Sequence, residues 1–198
     1  MQSNNKFLKK SVAGFSMIEM LVSISIIGLI SALFLVNYQG NIRRSDLQMT
    51  TNILAADTRL AQSYSLGLIK YDNIFPDGGW GIDFDLSQND RYYFFADGYD
   101  QQSDQQKQDN EILSEFGGRT ILLPPTIKIK EIEMKKDGST YKPNHLAVTF
   151  IPPNPQTAIN DYLTPGRGDE VRIILENTRD NTTSTLLVNF VGLIDVLE

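Results

Sequence analysis

From Phe15 to Val36 the chain is apolar at most positions, and Glu19 is the sole charge in these 22 residues. At about 1.5 Å per residue, a helix of that length spans the roughly 30 Å hydrocarbon core of a bilayer. Past Val36 polar residues enter at Asn37, yet Ile42, Met49, Ile53, Ala56, Leu60 and Tyr64 recur at spacings near three, four and seven. Such spacing predicts one helical stripe. The pattern therefore predicts a single long helix from about Phe15 to about Leu66, loosened or bent near Gly40, with Gly67 as its stop. No proline occurs before Pro76, so none kinks it. Residues 15–36 form its membrane half, and residues 37–68 form an amphipathic half that lays its stripe on a globular domain.

Downstream the period changes. Short runs rich in β-branched and aromatic residues cover Trp80 to Leu86, Arg91 to Ala96, Arg119 to Leu123, Ile127 to Met134, Leu146 to Ile151, Glu170 to Glu176 and Thr185 to Val196. Val171, Ile173 and Leu175 alternate with Arg172, Ile174 and Glu176. Leu186, Val188 and Phe190 alternate with Leu187, Asn189 and Val191. The polar stretch Asn177 to Ser184 joins the two runs as a hairpin, and Gly192 marks a turn or bulge before a last strand through Ile194 and Val196. The expectation is an α+β chain in which the long helix packs on a C-terminal antiparallel β-sheet domain, residues 69–198. Asp97 to Asn110 and the proline-rich Ile151 to Gly168 read as exposed connections.

Composition narrows the chemistry. A chain of 198 residues supports one domain and an anchor, and the absence of cysteine excludes disulfides, thiolate metal sites and a cysteine nucleophile. Asp97, Asp100, Asp104, Asp109 and Glu111 offer hard oxygen ligands of the kind calcium takes, though without the order of an EF-hand. They stand as calcium candidates beside the plainer reading of a solvated acidic loop; no other cofactor is expected. His145 is the single histidine, no Gly-x-Ser-x-Gly elbow accompanies it, and it reads as a strand-edge residue. Trp80, beside Gly79 and Gly81, reads as packing where helix meets sheet. No convergent acid, base and nucleophile emerges, so an enzyme is not expected.

The segment before the apolar run carries the sharpest signal. Lys9 and Lys10, then Ser11, Val12, Ala13 and Gly14, precede Phe15. In a secretory signal the small-residue cleavage site follows the apolar region; here it comes first, so cleavage after Gly14 leaves the helix on the product. It also creates an amino group on Phe15, one helical turn from Glu19. A carboxylate within a span costs on the order of 2.5 to 3.5 kcal/mol near the bilayer centre, less toward an end, and so calls for a partner. A plain signal anchor leaves Glu19 unexplained. A cleaved signal ending near Ala32 lacks a small residue at Ile30. Lys6, Lys9 and Lys10 against Arg43 and Arg44 give a modest excess that favours a cytoplasmic N-terminus.

Gly14-Phe15-Ser16-Met17-Ile18-Glu19 and the helix behind it resemble the prepilin signature of type IV pilins and type II secretion pseudopilins. The resemblance implies a leader, residues 1–14, cut after Gly14 by a prepilin peptidase that then N-methylates Phe15. It also implies that Glu19 pairs with the terminal amine of a neighbouring subunit during assembly. Removing the fourteen-residue leader, with its three lysines and no acid, leaves 184 residues and takes the formal charge from -6 to -9, which disfavours a nucleic-acid-binding surface. More loosely, Gly79-Trp80-Gly81-Ile82, then Tyr92-Tyr93-Phe94-Phe95-Ala96-Asp97 and a terminal hairpin, look like an H-type (GspH/FimT-like) minor pseudopilin domain. The two resemblances together imply a minor pilin or pseudopilin, a single-pass inner-membrane precursor that enters an extracytoplasmic filament. Its implied partners are the peptidase, other subunits and an inner-membrane assembly platform. The competing class is an anchored extracytoplasmic enzyme or binding module that never polymerises.

Overall fold

The computed structural model describes residues 14–70, 75–97, 119–152, 156–163 and 167–197, with the side chains of 36–43 excepted. Two compact units divide the chain, Met1–Ile42 and Arg43–Glu198. One helix, α1, runs Met17–Leu66 and stays helical through Gly40. Its start lies two residues after the expected Phe15, because Ser16 caps it. The Ser16 carbonyl accepts from the Glu19 amide at 3.1 Å and the Met20 amide at 3.2 Å, and its hydroxyl accepts from the Glu19 amide at 3.3 Å. At the other end Gly67 follows the last helical residue, but the left-handed turn belongs to Leu68, at φ 49°. The Ile69 amide reaches back to the Tyr64 carbonyl at 3.0 Å and closes the helix.

Among the described residues, ten strands form two five-stranded antiparallel sheets. In chain order they are β1 Gly79–Asp85, β2 Arg91–Asp97, β3 Arg119–Leu122, β4 Ile127–Lys136, β5 Ser139–Tyr141, β6 His145–Ile151, β7 Gln156–Asp161, β8 Glu170–Asn177, β9 Thr183–Asn189 and β10 Ile194–Leu197. The first sheet is ordered β3-β2-β1-β6-β7 and the second β10-β9-β8-β4-β5, so the chain alternates between them. Eight of these strands answer to the seven runs read from sequence, because the last of those runs divides into β9 and β10 around Gly192, at φ 87°.

The other two strands lie outside those runs. β7 falls within Ile151 to Gly168, which its prolines mark as an open connection. It pairs with β6 from Leu146↔Asp161 to Ile151↔Gln156. Thr157, Ala158 and Ile159 are buried there, a short run that the surrounding prolines mask. β5 pairs with β4 through Asp137 and Gly138, whose positive φ values of 50° and 76° make a two-residue type I′ turn. Asp-Gly between two runs is a legible signal for that hairpin.

The core lies among the sheets and the domain half of α1. Trp80, Ile82 and Phe84 of β1 meet Tyr92 and Phe94 of β2, and Ile129, Ile132, Val171, Ile173, Leu186 and Val188 fill the second sheet's inner face. Each large side chain so buried contributes roughly 1.5–3 kcal/mol relative to exposure. The alternation read in β8 holds, with Val171, Ile173 and Leu175 inward. In β9 it holds for Leu186 and Val188 but not Phe190, which lies beyond the strand's end and is 60 % exposed.

The helical stripe is the main correction. Met49 is 64 % exposed, Ile53 47 %, and Ala56 is exposed; Leu60 and Tyr64 are half-buried. The buried face is instead Leu47, Thr51, Leu54, Thr58, Ala61 and Ser65, spaced four and three in turn. Threonines fit there because each satisfies its own hydroxyl within the helix: Thr51 donates to the Leu47 carbonyl at 2.9 Å and Thr58 to the Leu54 carbonyl at 2.8 Å.

Candidate functional site

Gly14 and Phe15 lie immediately before the capped first turn. Nothing within 4 Å would meet a Cβ at Gly14, and Phe15 is 76 % exposed. Glu19 falls in that first turn, where the helix presents its partly positive end. Sequence reading missed the part of Ser16: Ser-x-x-Glu places a capping hydroxyl three residues before an acid. Met17–Leu35 is long and apolar enough to cross a membrane, and its large side chains, from Met17 to Leu35, are exposed. Ser23 donates to the Glu19 carbonyl at 2.7 Å and Ser25 to the Leu21 carbonyl at 2.8 Å, so these hydroxyls bring no unmet donor into an apolar medium.

Within the second unit, polar contacts fix the helix to both sheets. Asp57 accepts from the Tyr92 hydroxyl at 2.7 Å and pairs with Arg119, whose guanidinium also lies 5.5 Å from the Phe94 ring centre. Ser65 accepts from the Trp80 amide at 2.9 Å, while the Trp80 indole donates to the Ile69 carbonyl at 3.0 Å and its ring meets Tyr64 edge-on at 5.1 Å. Trp80 therefore does pack at the helix–sheet junction. On the second sheet, Arg59 donates to the Ile194 carbonyl at 2.9 Å and Gln62 to the Gly192 carbonyl at 3.1 Å. Burial, then the hydrogen bond to Asp57 and its negative charge, push the Tyr92 phenol far up from its ordinary value.

Of the calcium candidates, Asp97 is fully buried at the end of β2, its carboxylate packed against Gly78, where a Cβ would lie 1.7 Å from Oδ2. Asp100, Asp104, Asp109 and Glu111 lie outside the described residues. No group of three or more His, Asp or Glu side chains converges among the described residues. His145 begins β6, as expected for a strand edge. Its Nε2 lies 3.0 Å from Asp83 Oδ1, and its ring stacks on Tyr162 at 3.6 Å; Tyr162 also donates to Asp83 at 2.9 Å.

Residues 9–35 match the family model of the prokaryotic N-terminal methylation motif. Comparison with curated proteins and with solved structures finds no match. The match takes in Gly14, Phe15, Glu19 and the apolar segment, and it supports reading this N-terminal segment as that of a type IV pilin-like precursor.

Proposed function

We propose that the chain is a structural subunit of an extracytoplasmic helical filament, a type IV pilus or type II secretion pseudopilus, and not an enzyme. The observation that carries this reading is the matched motif placed on a capped helix, with Gly14 and Phe15 open ahead of it. Prepilin peptidase cuts after Gly14 and methylates Phe15 while Met17–Leu35 holds the precursor in the inner membrane. Glu19 then pairs with the terminal amine of a neighbouring subunit. In lipid, helices associate through packing and polar contacts rather than ordinary hydrophobic force, so one charge pair in an apolar bundle sets register. Gly28, with Ser23, Ser25, Ser31 and Ala32, permits close approach. Other subunits and an inner-membrane assembly platform are the partners; no nucleic acid is.

A minor, H-type (GspH/FimT-like) subunit is favoured over a major one, supported by the β-rich domain and by the Trp80 and Tyr92–Asp97 segments at its centre. The test is intact mass and N-terminal analysis of the protein from cells with an active prepilin peptidase. The expected product begins at methylated Phe15. A product that still begins at Met1 overturns the reading and points to an anchored binding module that does not polymerise.

A further inference from the structure

The β9–β10 turn carries Phe190, Val191 and Leu193, all more than half exposed. Surface turns favour polar residues and glycine, so three exposed apolar side chains at one tip call for a partner. The tip is also rigid. The Asn189 carboxamide oxygen accepts from the Val191 amide at 3.1 Å and the Leu193 amide at 2.9 Å, and the Asn189 carbonyl accepts from the Gly192 amide at 2.9 Å. Gln62 and Arg59 fasten the turn to α1 through the Gly192 and Ile194 carbonyls. An apolar knob fixed in this way loses little conformational freedom when another surface covers it.

The same unit carries a surface of the complementary kind. Ser45, Gln48, Met49, Asn52, Ile53 and Ala56 line an open groove of about 430 Å³ on α1, and none of them is charged. Met49, Ile53 and Ala56 are spaced four and three, so they share one helix face, and the domain leaves all three exposed. Gln62, which holds the tip, follows Met49 by 13 positions, roughly 20 Å along the helix. The tip therefore cannot fill the groove of its own chain.

We infer that the tip of one copy seats in the groove of the next, with Phe190 and Val191 against Met49 and Ile53. Charge and symmetry select a second copy as the occupant. Without its leader a copy carries a formal charge of -9, so copies repel over most of their surface. Repulsion is least where both surfaces are uncharged. The groove has no charge, and the tip is flanked by Arg167 and Asp169, one of each sign. Because tip and groove are different surfaces, the contact is heterologous, and repeating it extends a row of copies instead of closing a two-fold dimer. An open helix results when the rotation between copies does not close. This deepens the filament reading and rests on it, naming the domain surfaces through which one subunit engages another.

A chain without cysteine lets an introduced cross-link report the contact cleanly. Val191→Cys and Met49→Cys, both at exposed positions, are placed separately in the full chain. Each is expressed alone and with the other, in cells with an active prepilin peptidase and assembly platform, and the cells are then oxidised. A disulfide forms only where the two Cα atoms come within about 7 Å. The two variants together should give a disulfide dimer that neither gives alone, and the double variant should give a ladder of higher species. Phe190→Asp should lower the mixed dimer about tenfold or more, because the contact would bury an unpaired charge, while Phe190→Leu should keep it. Neither substitution should lower the melting temperature, since Phe190 lies exposed beyond the end of β9. Absence of the mixed dimer, dimers formed equally well by one variant alone, or a yield that Phe190→Asp leaves intact overturns the contact. N-terminal mass of the same sample keeps the two readings apart. Protein beginning at Phe15 without the mixed dimer removes the contact and leaves the filament reading, whereas protein still beginning at Met1 removes the filament reading whether or not the cross-link forms.

Discussion

At the scale of single residues, Asp57 is the least expected. It sits on the buried face of α1, where a carboxylate should be excluded, and it is tolerated because Tyr92 and Arg119 both donate to it. Arg119 is about half exposed, so most of the stabilisation resides in the buried Tyr92 bond. Replacing Tyr92 with Phe should destabilise the domain by about 1–3 kcal/mol near neutral pH, measured by denaturant unfolding. The pH dependence has a definite sign. The folded phenol titrates above its unfolded value of about 10, so its contribution is complete below that pH and lost as pH rises beyond it. The stability gap between wild type and Tyr92→Phe should therefore narrow above about pH 10; a gap that stays constant into that range would reject the linkage. Local sequence holds no sign of this contact. An aspartate in a helix and a tyrosine in a strand, 35 residues apart, carry no mutual mark.

At the scale of elements, the helix shows how a correct period can give the wrong face. Apolar residues alone trace Met49, Ile53 and Ala56, whereas the domain buries a face that includes Thr51, Thr58 and Ser65. Small hydroxyl residues allow close packing against the aromatic first sheet, and their polar atoms are met locally or by Trp80. Leu54→Ala should then cost about 2–5 kcal/mol, because Leu54 is fully buried. Met49→Ala, on the exposed side, should change stability by no more than about 0.5 kcal/mol. Paired thermal or denaturant melts check this, and equal losses would return the sequence-based stripe to favour. The strands divide similarly. Runs such as Tyr92 to Ala96 are buried on both faces and stand out by composition. β7 owes its place to pairing with β6, and local sequence disguises it with neighbouring prolines.

At the scale of the whole molecule, Glu19 connects the chain to its proposed assembly. Glu19→Ala should leave cleavage after Gly14 largely intact, since the capping contacts of Ser16 run to backbone amides, yet impair entry into filaments. Sedimentation of sheared filaments with immunodetection of this subunit would measure it, and normal incorporation would reject the pairing role. By itself the sequence determined the apolar span, the order of Gly14, Phe15 and Glu19, the single long helix and the α+β class. Each depends on residues near one another in the chain, through helical rise, cleavage-site order or strand alternation. Tertiary structure alone decided which face of the helix is buried, that the strands form two interleaved sheets, and that Asp57, Tyr92 and Arg119 meet. Those are contacts between distant residues, set by which surfaces cover one another once the chain has closed. The opening motif remained readable because its chemistry lies within a few turns of one helix.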